Sequence, residues 1–232
     1  MSRVILITGT SKGIGEYLAN YYLKKKLFVI GFSRSECKIS HKNYDHIYGD
    51  VAEEIDVKKT IKFIKNKYER LDILINNAGT ASMNHFLLTP KSTVNKLFNV
   101  NYLGVFLFSR EASKLMGKNK FGRIINFSTV AVPLSLEGEA VYSSVKAGVE
   151  RLTSVLSKEL GYLGITVNTI GPTPIKTSLM RTVPADKVKS LLDSQVFKRF
   201  GEFEDISNVI DFFISDDSNF ITGQKIYLGG IS

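Results

Sequence analysis

The segment FSTVAVPLSLEGEAVYSSVK, residues 127–146, sets two adjacent hydroxyls, Ser128 and Thr129, ahead of Tyr142 and Lys146, which lie four residues apart. On a helix that spacing puts the phenol and the ammonium on one face, about one turn apart. The surrounding EGEAVYSSVKAGVERLTSVLSKEL favours a helix, with an apolar stripe through Val141, Val145, Val149 and Leu152. A free phenol titrates near pH ~10 and exchanges protons poorly at neutrality. A nearby ammonium favours the phenolate, making such a tyrosine an acid for carbonyl reduction or a base for alcohol oxidation. The same two residues also occur as ordinary surface pairs, so partners elsewhere in the chain must decide.

One such partner lies near the N-terminus. VILITGTSKGIGEYLANYYL runs from an apolar strand through Gly9, Gly13 and Gly15 into an amphipathic helix. Glycines here permit a tight turn and let backbone N–H groups approach a pyrophosphate at the helix N-terminus. The spacing is TGxxxGxG, and Gly9, Ser11, Lys12, Gly13, Ile14 and Gly15 are the candidate contacts. Folds that bind NAD carry Asp or Glu about 20 residues beyond the glycines. This chain has Ser33 followed by Arg34. A carboxylate repels a 2′-phosphate, whereas a guanidinium binds it with paired charge-assisted hydrogen bonds. With Lys12 as a second cation, the pattern predicts NADP(H) over NAD(H), although both cations also fit a solvated surface.

The elements that must position these groups alternate along the sequence. Apolar runs at 4–8, 27–32, 71–76, 123–128 and 165–170 are nearly continuous, as strands buried on both faces require. Helical periodicity fills 14–26, 53–69, 91–117 and 139–163, a last helix is expected near 206–215, and a final strand at 225–228. Alternation of this kind predicts βαβ units and a parallel sheet. No linker or repeat divides the 232 residues, so one domain is expected over 1–232, with residues 172–201, which hold three of the five prolines, as a lid over a site.

Composition narrows the classes. No run of about 18 apolar residues offers a membrane span, and the opening MSRVILITG reads as a buried strand rather than a signal peptide. The single cysteine, Cys37, forms no internal disulfide and no cysteine-based metal cluster; it fits a reducing cytoplasm, and no metal site is expected. A net charge of +9 suits an anionic cofactor, an acidic carrier or nucleic acid. The excess is scattered lysine, however, and no nucleic-acid-binding motif accompanies it.

Taken together, TGTSKGIG (8–15), GDV (49–51), NNAG (76–79), NVNYLG (99–104), YSSVK (142–146) and ITGQKIYLGG (221–230) resemble the short-chain dehydrogenase/reductase family over nearly the whole chain. The resemblance implies a single Rossmann-like, doubly wound α/β domain with a seven-stranded parallel sheet. It implies that Tyr142 is the proton donor or acceptor, that Lys146 binds the nicotinamide ribose and lowers the tyrosine pKa, and that Asn101 holds a water of a proton relay. Asp50 and Val51 would lie against adenine, and Asn77, Ala78 and Gly79 would floor the cofactor site. Asn101 and Asp50 also fit simple capping and turn roles.

In the family an active serine stands about thirteen residues before the tyrosine, which here reaches Thr129, with Ser128 one residue earlier. Successive strand side chains point to opposite faces, so a regular strand cannot use both. Thr129 is preferred, and Ser128 is kept as the alternative. The usual Pro-Gly after the sixth strand is Pro172-Thr173 here, which loses easy access to positive φ and puts in question carboxamide contacts at Pro172, Ile175 and Thr177. Similarity to 3-oxoacyl-carrier-protein reductases makes a carbonyl on an acyl carrier or a small molecule the expected substrate, with no nucleic-acid or membrane partner. A keto-sugar or small-carbonyl reductase is the second reading, and a non-catalytic dinucleotide-sensing protein the third. By the same analogy the chain is expected to form a homodimer or homotetramer.

Overall fold

The computed structural model describes residues 2–177, 180 and 183–231. Seven strands, β1 (Val4–Thr8), β2 (Phe28–Ser33), β3 (Tyr44–Tyr48), β4 (Ile73–Asn76), β5 (Gly122–Phe127), β6 (Ile165–Gly171) and β7 (Lys225–Tyr227), form one parallel sheet in the order β3-β2-β1-β4-β5-β6-β7. The helices are α1 (Gly13–Lys24), α2 (Glu54–Tyr68), α3 (Lys91–Phe98), α4 (Gly104–Met116), α5 (Ala131–Leu134), α6 (Ala140–Leu160), α7 (Ala185–Asp193) and α8 (Phe203–Ile214).

Strand periodicity builds two cores. Val4 and Leu6 of β1 face a cluster that includes Val57 and Ile64 of α2 and Leu107 and Phe108 of α4. Ile5 and Ile7 face the other cluster, with Leu18 and Tyr22 of α1 and Ile206 and Phe213 of α8. Both faces of the sheet are therefore covered, which explains the nearly unbroken apolar runs. Chain order reverses between β1 and β4, so the crevice at their carboxyl ends is the ligand position of an open α/β sheet.

Three elements differ from the sequence expectation. Strand β3 was not expected, because YDHIY has few apolar residues; as an edge strand it is only partly covered, and it pairs with β2 from Val29–Tyr44 to Ser33–Tyr48. The single helix expected over 91–117 is two helices joined by a π-helical turn, Asn99–Leu103. The last helix starts three residues early, since Glu202 and Asp205 form a capping box in which Glu202 N–H donates to Asp205 at 2.8 Å. Among the described residues, no helix is long and apolar enough to cross a membrane.

Candidate active site

Tight packing decides the glycine turn. Gly9 has φ +78°, and a Cβ there would stand 2.9 Å from Ala78 Cα. A Cβ on Gly15 would lie 2.2 Å from Gly9 O, so this glycine lets α1 seat against the turn. Thr8 Oγ1 accepts from the N–H groups of Asn77 (3.1 Å) and Ala78 (3.0 Å), and Asn77 Nδ2 donates to Thr8 O at 2.8 Å. The NNAG loop and the glycine turn are thus one hydrogen-bonded unit. Lys12 precedes α1 in extended conformation without a side-chain cap, which leaves the N–H groups of the first turn facing the crevice.

A cleft of about 790 Å³ opens above these groups, within the range of small-ligand and cofactor sites. It brings together Gly9, Ser11, Lys12, Gly13 and Ile14 with Ser33, Arg34, Asp50, Val51, Asn77, Ala78 and Gly79. Ser128, Thr129, Tyr142, Lys146, Pro172, Ile175 and Thr177 line it as well, whereas Gly15 and Asn101 lie beneath its surface. Arg34 is exposed and reaches Asp50 Oδ2 at 3.5 Å, an exposed pair worth about 0–1 kcal/mol. Asp50 also ends its strand as a turn residue, since its Oδ1 accepts Ala52 N–H at 3.0 Å. Ser33 donates to Ser35 O at 2.8 Å, so its proton is already engaged.

The acid–base candidates sit where β5 ends against α6. Lys146 is buried and donates to Phe127 O at 2.8 Å. Ser128 is buried too, but its hydroxyl points away from the tyrosine and donates to Glu150 Oε1 at 2.5 Å. Thr129 faces Tyr142 and pulls the phenol pKa down by hydrogen bonding. The Thr129 hydroxyl oxygen also accepts Ala131 N–H at 3.2 Å.

Burial outweighs that effect. It raises the Tyr142 pKa well above the ordinary phenol value, and the charge of Glu139 raises it further. Burial also lowers Lys146 to about 8. Desolvation is the largest influence on the phenol, and it favours the protonated form.

Asn101 is fully buried in the π-helical turn. Its Nδ2 donates to Thr80 O (2.9 Å) and Leu97 O (3.0 Å), and its Oδ1 accepts Thr80 N–H (3.2 Å). The side chain thus holds the loop after Gly79 in place. Thr173 does not adopt positive φ, and Pro172 O accepts Val130 N–H at 3.2 Å, so the loop after β6 stays on the sheet. Ile175 and Gly201 form a parallel bridge that closes the base of the segment between them. Above the cleft, Lys187 of α7 pairs with Glu137 at 3.2 Å. Ser178, Leu179, Arg181 and Thr182 of the expected lid lie outside the described residues.

Sequence reasoning missed Glu139, three residues before Tyr142, and Glu150, one turn beyond Lys146. Glu150 follows helical spacing on α6, and Glu139 stands at that helix's N-cap position, which were the signals available for them.

A doubly wound parallel sheet, a glycine turn at its switch point and a half-buried Tyr142 beside the buried Lys146 at the neighbouring strand end define a nucleotide-binding oxidoreductase. The chain belongs to the short-chain dehydrogenase/reductase family. The family model described as enoyl-(acyl carrier protein) reductase matches residues 9–231. The chain is 34% identical to the 3-oxoacyl-[acyl-carrier-protein] reductase FabG of Buchnera aphidicola, with 98% of this chain and 96% of that protein covered. It is 30% identical to the solved structure of ElxO with NADP bound, at a TM-score of 0.90 and coverage of 98% and 97%. The aldohexose dehydrogenase of Thermoplasma acidophilum is 25% identical, at a TM-score of 0.90 and coverage of 99% and 94%.

Proposed function

We propose that this chain reduces the keto group of a 3-oxoacyl thioester with NADPH. The observation that carries the reading is the convergence of Tyr142, Thr129 and Lys146 on one cleft that the glycine turn also lines. Two features fit the cofactor: Gly9 and Gly15 stand where any Cβ would collide, and the uncapped N-terminus of α1 faces the crevice with Lys12 and Arg34 beside it. Arg34 and Lys12 would take the 2′-phosphate, with Gly9, Ser11, Gly13 and Ile14 along the pyrophosphate. Asp50 and Val51 would stand near adenine, Asn77, Ala78 and Gly79 beneath the ribose, and Pro172, Ile175 and Thr177 on the nicotinamide side. Bound NADPH supplies the hydride.

Everything else is the work of the chain. Tyr142, held as a protonated phenol, gives its proton to the keto oxygen, and the Thr129 hydroxyl orients that oxygen. Lys146 would hold the ribose hydroxyls of the cofactor and restore the phenol's proton, with a water on the π-helical turn at Asn101 as the onward link. Both Nδ2 donors of Asn101 are engaged, so such a water would bind through its main chain or the remaining acceptor site of Oδ1. Residues 172–201 act as a lid. Relatives named for acyl-carrier substrates support the thioester reading.

A keto-sugar substrate is the second reading, favoured by the likeness to an aldohexose dehydrogenase. The intact Tyr142, Lys146 and Asn101 set argues against a purely dinucleotide-sensing protein. A cytoplasmic homodimer or homotetramer is part of the proposal, supported by Val94, Phe98 and Phe106, which α3 and α4 leave exposed. NADPH oxidation measured with acetoacetyl thioesters and with keto-sugars tests the substrate. Tyr142→Phe should cost about 10²–10⁴-fold in turnover with NADPH still bound; full turnover in that variant would sink the mechanism.

A further inference from the structure

We infer that Glu150 is a positioning residue that sets Thr129 against Tyr142 and makes β7 part of the catalytic support. The inference rests on the reading above for the roles of Thr129 and Tyr142. Tyr142, Lys146 and Glu150 follow one another at four-residue spacing on α6 and meet three consecutive residues at the end of β5. Tyr142 faces Thr129, Lys146 holds Phe127 O at 2.8 Å, and Glu150 accepts from Ser128 at 2.5 Å. Glu150 has two further partners, both from β7: Tyr227 donates to Oε1 at 2.6 Å, and Lys225 pairs with Oε2 at 3.2 Å.

The carboxylate is only 5% exposed. A buried charge is costly unless it is paired and hydrogen-bonded, and an apolar side chain would fill a helix–sheet contact without that cost. What the carboxylate provides is direction: three donors converge on it and fix the rotation of the strand end at Ser128. Because Thr129 follows immediately, that rotation decides where its hydroxyl points.

Anchoring of α6 does not depend on this cluster. A second polar ladder lies deeper, where Asn126 bonds Asn76 (2.8 Å) and Thr153 (2.8 Å), and Thr169 bonds Thr153 (2.9 Å). Variants of the Glu150 cluster therefore have an independent means of holding the helix on the sheet.

The test is a double-mutant cycle on turnover of an acetoacetyl thioester by the full chain. Ser128→Ala and Tyr227→Phe should each lower kcat about tenfold, as small misplacements of catalytic groups do, with KM for NADPH unchanged. In a Thr129→Val background Ser128→Ala should have no further effect, because the group it positions is gone. Glu150→Gln, which keeps an acceptor oxygen, should lose less than Glu150→Ala. Unchanged kcat in Ser128→Ala and Tyr227→Phe, or equal losses with and without Thr129, would overturn the inference. Hydrogen–deuterium exchange of residues 127–134 needs no substrate and should be faster in Ser128→Ala; unaltered exchange counts equally against it. Normal turnover in Tyr142→Phe with faster exchange in Ser128→Ala would instead fault the proposed chemistry and leave the positioning role standing.

Discussion

At the scale of single residues, burial sets the acid–base character of the site. Desolvation raises Tyr142 and lowers Lys146 to about 8, in both positions favouring the uncharged form. Lys146 keeps its charge below about pH 8 and loses it above. Because kcat/KM for NADPH reports the free enzyme, it should fall on the alkaline side with an apparent pKa near 8. A profile flat from neutrality into the alkaline range would contradict this. Stability has the opposite sign: the unfolded lysine, with a pKa of about 10.4, binds the proton that the folded one has released, so this group's contribution to stability rises with pH between the two values. The residues themselves were legible to different depths. Spacing placed Tyr142 and Lys146 on one helical face, but only the ordered family motifs around them singled the pair out as catalytic. Thr129 was preferred over Ser128 only on the family's spacing, since the end of β5 fixes which hydroxyl turns to Glu150 and which to the tyrosine.

At the scale of elements, the strands and helices that bury apolar stripes were readable, whereas the polar edge strand β3 was missed. The five interior strands are apolar enough to announce themselves, but Asp45 and His46 hide β3 at the sheet edge. Periodicity runs unbroken through 91–117 because a π-helical turn inserts a residue without changing composition; only the buried Asn101 and its three hydrogen bonds mark the place. Asn101→Ala tests what that turn does. It removes a donor from Thr80 O and an acceptor from Thr80 N–H, which are part-buried at the cleft, so the loss should be about 1 kcal/mol, at the low end of the cost of an unpaired buried group. The midpoint of urea unfolding should drop accordingly, with the loop after Gly79 less protected from hydrogen exchange. A variant as stable as the parent would mean that the Asn101 side chain does not hold the loop, and would return the residue to a purely chemical role.

At the scale of the whole molecule, charge is legible in the sequence but its arrangement is not. The excess of nine positive charges is a property of composition, and an acidic carrier bringing a thioester would feel it as a long-range field. The field and the site meet at the cleft mouth, where Lys187 of α7 lies over the opening but is paired with Glu137 at 3.2 Å. That pairing leaves the rest of the surface charge, Lys12 and Arg34 of the cleft included, rather than Lys187 as the source of attraction. The two origins predict different responses to salt, because the Debye length shrinks from about 30 Å at 0.01 M to about 3 Å at 1 M. If the dispersed charge steers the carrier, kcat/KM for a carrier-linked 3-oxoacyl thioester should fall about tenfold or more as salt rises across that range, since steering raises on-rates by roughly 10–10³. A short thioester without the carrier should be almost unaffected, and Lys187→Ala should change neither response. An equal salt dependence for both substrates would remove the electrostatic argument for an acidic carrier, and a response abolished in Lys187→Ala would move the recognition from the whole surface to the rim of the cleft.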